Sequence, residues 1–237
     1  MKDKKKIQLS KRLETVASFV EKGSRIADVG CDHGYIPIYL MGKGIIPGAI
    51  AMDVNQGPLM RARAHIQEYG LGDYITTRLS DGVKALNPGE ADGVVIAGMG
   101  GPLMEKIITE GKVVLETVSY LILQPQSEIA HFRRFLHSAG YGIVQEEMVL
   151  EDGKYYPMMK VMQKEQHYER EIEYLYGAEL LKTKHPVLLQ FLLKEKEAKG
   201  RVRSHLKEAG TPGSASRLQE LEQEYSRIEE ALKAYEM

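Results

Sequence analysis

The sequence predicts an α/β protein: a mostly parallel sheet with an antiparallel terminal hairpin, followed by an antiparallel pair of helices. Three observations carry this prediction. Short apolar runs of strand type alternate with helical stretches as far as residue 163. Two long alternating runs are joined by Glu151-Asp152-Gly153-Lys154, and Asp-Gly between such runs is a strong hairpin signal. Beyond residue 164 the strand pattern gives way to leucines and tyrosines at helical spacing. The expected division is a sheet domain at 1–163 and a helical domain at 164–237.

Each element has its own warrant. Leu9, Leu13, Val16 and Val20 recur at helical spacing and predict a helix over 8–22, with Ser10 as a cap. Ile26, Ala27 and Val29 read as a first strand over 25–30, and the glycines after it predict a sharp turn into a helix over 35–41. Residues 49–53 read as a second strand ending in Asp53, and Leu59, Ala62 and Ile66 mark a helix over 57–69. Further strands are expected at 74–79, 91–97 and 120–123, with helices at 102–108 and 128–138. Pro102 suits a first helical turn, where its missing N–H has no partner to lose. The hairpin strands are expected at 141–150 and 155–163. Pro186 opens a long helix running to about residue 208. Gly210-Thr211-Pro212-Gly213-Ser214 breaks it, and Leu218, Leu221, Tyr225, Ile228, Leu232 and Tyr235 form a coiled-coil-like seam on the next helix. Leu188, Phe191 or Leu192, Ala198 and Val202 supply the facing stripe.

Composition narrows the class. The 237 residues are 43% hydrophobic, enough for a substantial core. The single cysteine, Cys31, excludes an internal disulfide and fits a reducing cytoplasm; it reads as a small buried residue. No apolar run is long enough to span a membrane or form a signal peptide, so a cytoplasmic location is expected. A net charge of −1 excludes a wholly cationic nucleic-acid binder, but two basic islands stand out. One holds Lys2, Lys4, Lys5, Lys6, Lys11 and Arg12, and the other spans 182–207 and includes Lys199, Arg201 and Arg203. No His, Cys and acidic cluster has metal-ligand spacing, so no metal is expected. Nothing requires an oligomer, and a monomer is expected.

The chemistry is expected where strands end. The first turn reads Asp28-x-Gly30-x-Asp32-x-Gly34, which is not the G-x-G-x-x-G of dinucleotide binders. Glycines there let the backbone turn sharply and approach a ligand. Asp28 and Asp32 would repel a pyrophosphate but suit a cationic sulfonium and ammonium, which favours S-adenosylmethionine over NAD. Asp53 is placed to accept from ribose hydroxyls, and Asp81 from an exocyclic adenine amine, with Gly82 letting the backbone run close to the ring. His33 either orients the cofactor carboxylate or caps the helix. The loop Gly98-Met99-Gly100-Gly101 follows the fourth strand, beside the switch in strand order, and can press against both cofactor and substrate. Gly98, Met99, Gly100 and Tyr35 are therefore candidates for positioning substrate. The Asn-Pro-Pro-Tyr often placed here in amino-methylating enzymes is absent, which argues against exocyclic amine methylation in the usual manner.

Five strand–helix units with a final hairpin resemble the Rossmann-like methyltransferase fold. The resemblance narrows on Leu9-Ser10-Lys11-Arg12-Leu13, on Asp28 to Pro37, on Ile96-Ala97-Gly98-Met99-Gly100-Gly101 and on Leu123-Gln124-Pro125. Together these resemble the bacterial tRNA (adenine(22)-N(1))-methyltransferase family, a class I S-adenosylmethionine-dependent group. The resemblance implies methylation of adenine N1 in the D-loop region of tRNA, with a helical domain that helps hold the RNA. It implies cofactor contacts at Asp28, Gly30, Asp32, His33, Asp53, Asp81, Gly98 and Met99, and Gly34 and Gly82 belong to the same loops. Lys5, Lys11, Arg12, Lys199, Arg201 and Arg203 are the expected phosphate contacts. Adenine N1 carries a lone pair and no proton, so no strong base is needed. Alignment would dominate catalysis, and Tyr35, Tyr155 or Tyr156 could stack on an extracted base. The alternatives are a methyltransferase of the same fold acting on a small molecule or protein, and a silent RNA-binding protein that keeps the cofactor pocket.

Overall fold

The computed structural model describes residues 7–209 and 212–236. The predicted Lys5, Gly210 and Thr211 lie outside the described residues.

Seven strands form one sheet in the order β3-β2-β1-β4-β5-β7-β6. They are β1 (Ile26–Val29), β2 (Ala49–Asp53), β3 (Ile75–Leu79), β4 (Gly93–Met99), β5 (Tyr120–Pro125), β6 (Tyr141–Glu151) and β7 (Lys154–Gln163). The first five pair in parallel and the last two antiparallel, as the hairpin signal requires. Asp152 (φ 49°) and Gly153 (φ 74°) both take left-handed backbone, the conformation a two-residue turn needs to match strand twist.

Period-two alternation sends side chains to both faces, and helices cover each. Ala27, Val29, Val94, Ile96, Leu121 and Leu123 pack with Met104 and Ile107 of α4 (Gly101–Glu110) and Phe132 and Leu136 of α6 (Ile129–Ser138). Ile26, Ala49, Ala51, Val95 and Ile122 pack on the other face. Their partners there are α1 (Lys11–Ser18), α2 (Tyr35–Gly42) and α3 (Gln56–Glu68), through Val16, Ile38, Leu40, Leu59 and Ile66. Helix α1 is shorter than the spacing predicted. Its cap is Ser10, whose Oγ accepts from the Leu13 amide, and it ends as the Phe19 and Val20 amides turn to carbonyls three residues back.

Three short helices were not legible in the sequence: α5 (Lys112–Leu115), α7 (Glu171–Tyr176) and α8 (Ala178–Lys182). The last two dock the long helices α9 (Pro186–Ala209) and α10 (Pro212–Glu236) onto β6. A third core joins Met148 of β6 to Ile172, Leu180, Leu188, Leu192, Ile228 and Ala231. Beneath it lies a buried ion pair. Arg133 of α6 donates to Glu146 of β6 at 2.9 Å and to the carbonyls of Tyr174 and Leu175, and Glu146 also accepts from the Glu179 amide. Leu221 and Ile228 of the predicted seam are buried, whereas Val202, expected to face it, is 46% exposed. Lys199 and Arg203 bridge to Glu224 and Glu222 across the antiparallel pair, so ion pairs cross between the helices beyond Tyr225, alongside the buried Leu221. Among the described residues no helix is long and apolar enough to cross a membrane.

Candidate active site at the carboxyl edge of the sheet

Strand order reverses between β1 and β4, and the loops after these strands leave at the same edge. That divergence opens the crevice in which open α/β sheets bind ligands. Gly30 (φ 74°) brings the two loops into contact: a Cβ there would lie 2.4 Å from Met99 Cε. Gly98 (φ 81°) is different. A Cβ there would meet only Gln126 Nε2 at 3.7 Å and Arg12 Nη1 at 3.8 Å, so the space above this glycine is open and edged by polar groups. The Gly100 backbone runs close under Ser127, with 2.9 Å from a Cβ position to Oγ.

The acidic residues separate into two kinds. Asp28 is 4% exposed in β1, and burial, then the charge of Asp53, pushes its carboxyl up to about 7. Asp53 ends β2, is also buried, and accepts from the Asn55 amide at 2.8 Å. These two make the crevice electronegative where a cation would be accepted. Asp32 does not add to this as its sequence position implied: its carboxylate turns outward to Arg61 at 2.9 Å, with His33 at 3.5 Å. The charge argument for a sulfonium therefore rests on Asp28 and Asp53. Asp81 lies on the exposed rim after β3 and pairs with Lys84 at 2.5 Å, which holds its carboxyl below the usual range. Gly82 follows it, and its close neighbour is Ile107 of α4, at 3.0 Å from a Cβ position.

His33 and Gly34 form the tight turn before α2, both with positive φ. The His33, Tyr35 and His65 rings form a three-way cluster, with the His33 centroid 5.1 Å from Tyr35 and 5.2 Å from His65, and the His33 Nδ1 is buried without a hydrogen-bond partner. His65, which the sequence reading missed, packs against Tyr35, with ring centroids 5.7 Å apart. Cys31 is buried, and burial raises its thiol, so it is inert as a nucleophile. Val54 and Leu79, 58% and 50% exposed, stand beside Asp53 and Ser80 at the strand ends.

The sequence grouped Arg12 with the N-terminal lysines, but the fold brings it to this edge. Its Nη1 donates to Gln124 Oε1 at 2.9 Å, and its guanidinium carbon lies 5.5 Å from the Tyr156 ring centroid. Lys11 beside it is exposed. Lys199, Arg201 and Arg203 lie far along α9 and are engaged by Glu224, Glu197 and Glu222. Tyr155 packs against Phe191 at 5.2 Å, so Tyr156 is the tyrosine of the hairpin that faces Arg12.

These residues fit S-adenosylmethionine. The Gly30 turn makes a cradle that a Cβ would fill, and Asp28 and Asp53 favour positive charge. When bound, this cofactor supplies an activated methyl group on a cationic sulfur. Asp53 would accept from the ribose, the Gly30 turn would hold the amino-acid portion, and the Gly98 loop would leave the methyl side open to a nucleophile.

Known proteins agree with this geometry. The family described as Methyltransferase domain matches residues 9–159. The tRNA (adenine(22)-N(1))-methyltransferase of Bacillus subtilis is 39% identical over 153 residues, which span 65% of this chain and 64% of that protein. The structure of the B. subtilis m1A22 tRNA methyltransferase TrmK superposes with a TM-score of 0.83 at 32% identity, covering 95% of this chain and 99% of that one. Streptococcus pneumoniae Sp1610 in complex with S-adenosyl-L-methionine superposes at 0.84 and 35% identity, covering 95% and 100%. Sheet, crevice and helical pair are all matched, and the chain belongs to the methyltransferase-domain family, in the group of the tRNA (adenine(22)-N(1))-methyltransferases.

Proposed function

We propose that this protein transfers a methyl group from S-adenosylmethionine to N1 of adenine 22 in tRNA, in the cytoplasm. The observation that carries the reading is that the likeness to the B. subtilis enzyme runs through the helical pair as well as the sheet. A small-molecule methyltransferase would have no evident use for a long charged hairpin beside an open crevice.

The chemistry asks little of side chains. The N1 lone pair attacks the methyl carbon as the carbon–sulfur bond breaks, and no proton need be removed. Asp28, Gly30, Asp32, His33, Gly34, Asp53, Asp81, Gly82, Gly98 and Met99 are the proposed cofactor surround, with Asp32 acting through Arg61. Catalysis then rests on holding base and methyl in line, a geometry worth several orders of magnitude in rate. Extracting the base from its stack costs on the order of a few kcal/mol, met in part by contacts along the crevice.

Lys11 and Arg12 are the proposed RNA contacts at the crevice. Lys199, Arg201 and Arg203 would meet phosphates only by exchanging their glutamates for them. Lys154 opens β7 and Lys194 lies over the Tyr155 ring at 5.3 Å, and among the described residues neither lies within 4.0 Å of a carboxylate. They are the stronger phosphate contacts. The test is methyl transfer from labelled S-adenosylmethionine to unmodified tRNA transcripts with nucleoside analysis. Label should appear as 1-methyladenosine in a transcript with adenine at position 22 and not in one with guanine there. Absence of label from both, with cofactor binding intact, would overturn the reading.

A further inference from the structure

Four neighbours converge on Arg12 and fix it at the crevice rather than leaving it loose on the surface. Its backbone N–H donates to Glu151 Oε1 at 3.1 Å, fixing the start of α1 against the hairpin. Its Nη1 donates to Gln124 Oε1 at 2.9 Å. Its guanidinium lies over Tyr156. The same Nη1 stands 3.8 Å from the Cβ position of Gly98, at the floor of the crevice.

Gln124 explains itself only through this arrangement. It is fully buried in β5, where an apolar residue would be the ordinary choice. A buried amide is costly unless both halves are satisfied. Here Nε2 donates to the Pro125 carbonyl at 3.1 Å and Oε1 accepts from Arg12. The amide therefore aims the guanidinium. Beside the same Gly98 Cβ position stands Gln126, exposed, its backbone N–H donating to the Met99 carbonyl at 2.9 Å and its Nε2 3.7 Å from that position.

We propose that Arg12 and Gln126, flanking Gly98, form the slot that receives the target adenine, with Gln124 as the residue that positions Arg12. This rests on the methyltransferase reading above and says how the base is chosen. In the transfer the N1–methyl bond forms, the methyl–sulfur bond breaks, and the positive charge moves from sulfur to the adenine ring. N1 must face the methyl group, so recognition falls to the N6–N7 edge. A glutamine amide matches that edge, accepting from N6 and donating to N7. Guanine presents two acceptors there and carries a proton on N1, so it fails twice. A guanidinium against the ring would oppose the charge that develops on it. Arg12 accordingly holds the phosphate of the extracted nucleotide while Gln126 reads its base.

The test pairs protein and RNA changes. Wild-type protein with S-adenosylhomocysteine should bind tRNA carrying 7-deazaadenine at position 22 about tenfold more weakly than tRNA with adenine, the worth of one edge contact. Gln126→Ala should bind both alike. Arg12→Ala should lower kcat/KM for tRNA about 100-fold, as misplacement of a reacting group does, with the Kd for S-adenosylmethionine unchanged. Gln124→Leu should lower it in part, and adding it to Arg12→Ala should cost nothing further. Arg12→Lys keeps the charge and separates loss of the fork from loss of folding. The inference fails if Arg12→Ala stays within about threefold of wild type, a margin below the worth of one positioned contact, or if Gln126→Ala retains the full 7-deaza penalty. The binding arm reads the slot without methyl transfer, so an inactive wild type that still distinguishes the two RNAs would overturn the proposed reaction and not the slot.

Discussion

Gly30→Ala is the change that most directly tests the coupling of the two crevice loops. Gly30 has φ 74°, and a Cβ there would lie 2.4 Å from Met99 Cε. The left-handed backbone costs an L-residue about 1–2 kcal/mol. Met99 must also retreat to an ordinary contact of ~3.5–4 Å, and because its side chain is flexible this overpacking adds about 1 kcal/mol. The sum of about 2–3 kcal/mol corresponds to a Tm lower by roughly 4–12 °C for a chain of this size. Gly23→Ala is the internal control: φ is 87°, but nothing lies within 4 Å of its Cβ position, so only the backbone cost applies. Scanning calorimetry should rank Gly30→Ala below Gly23→Ala, and adding Met99→Ala to Gly30→Ala should recover part of the difference. Isothermal titration should show S-adenosylhomocysteine bound at least about tenfold more weakly by Gly30→Ala, as expected for a lost close backbone approach, and normally by Gly23→Ala. Equal Tm losses in the two variants, or unchanged cofactor affinity in Gly30→Ala, would refute the account of the Gly30–Met99 contact.

Further outcomes follow from the same geometry. Asp28 is held protonated to about pH 7 by burial and by Asp53, above its ordinary 3.8, so its contribution to stability is present at low pH and is lost as pH rises through 7. The ligand-free Tm should therefore carry a component that falls from about pH 4 to 7 and levels off above 7, while affinity for cationic S-adenosylmethionine tightens as pH rises through 7; Asp28→Asn should flatten both, and an unchanged slope would remove Asp28 from the site. Arg133→Met strands the Glu146 carboxylate in the interior and should cost about 3–5 kcal/mol in urea denaturation, with most of it recovered in Arg133→Met/Glu146→Leu. A double variant no more stable than the single would mean that the pair is not the unit. Lys154→Ala/Lys194→Ala should weaken tRNA binding and flatten its salt dependence more than Lys199→Ala/Arg203→Ala, whose cations already have glutamate partners; the reverse order in a filter-binding titration would return the RNA path to α9.

Much of the fold was legible because local rules and global structure agree. The second strand was placed to the residue, since an apolar run ending in an acid has few other readings. Asp152-Gly153 fixed the hairpin through backbone preference alone. The helices α7 and α8 escaped because each is too short to show a period, and they are held by Arg133 and Glu146 from distant elements. At the carboxyl edge of the sheet, Asp28, Gly30, Asp53 and Gly98 were legible as residues at or near strand ends. Asp32 read as a crevice acid because its partner, Arg61, lies 29 residues away, past a helix and a strand.

By itself the sequence determined the layered α/β architecture, the parallel order broken by a hairpin, and the strand-end acids and glycines of a cofactor crevice, because these depend on periodicity and backbone preference within a few residues. Tertiary structure alone decided which charges remain available and which side chains meet. Lys199 and Arg203 read as a basic island until Glu224 and Glu222 are folded against them. Arg12 read as a surface cation until Gln124, Tyr156 and Gly98 gather around it from three strands and loops. The physical reason is range: propensity acts along the chain, whereas ion pairing and burial act between groups that only the packed sheet brings together.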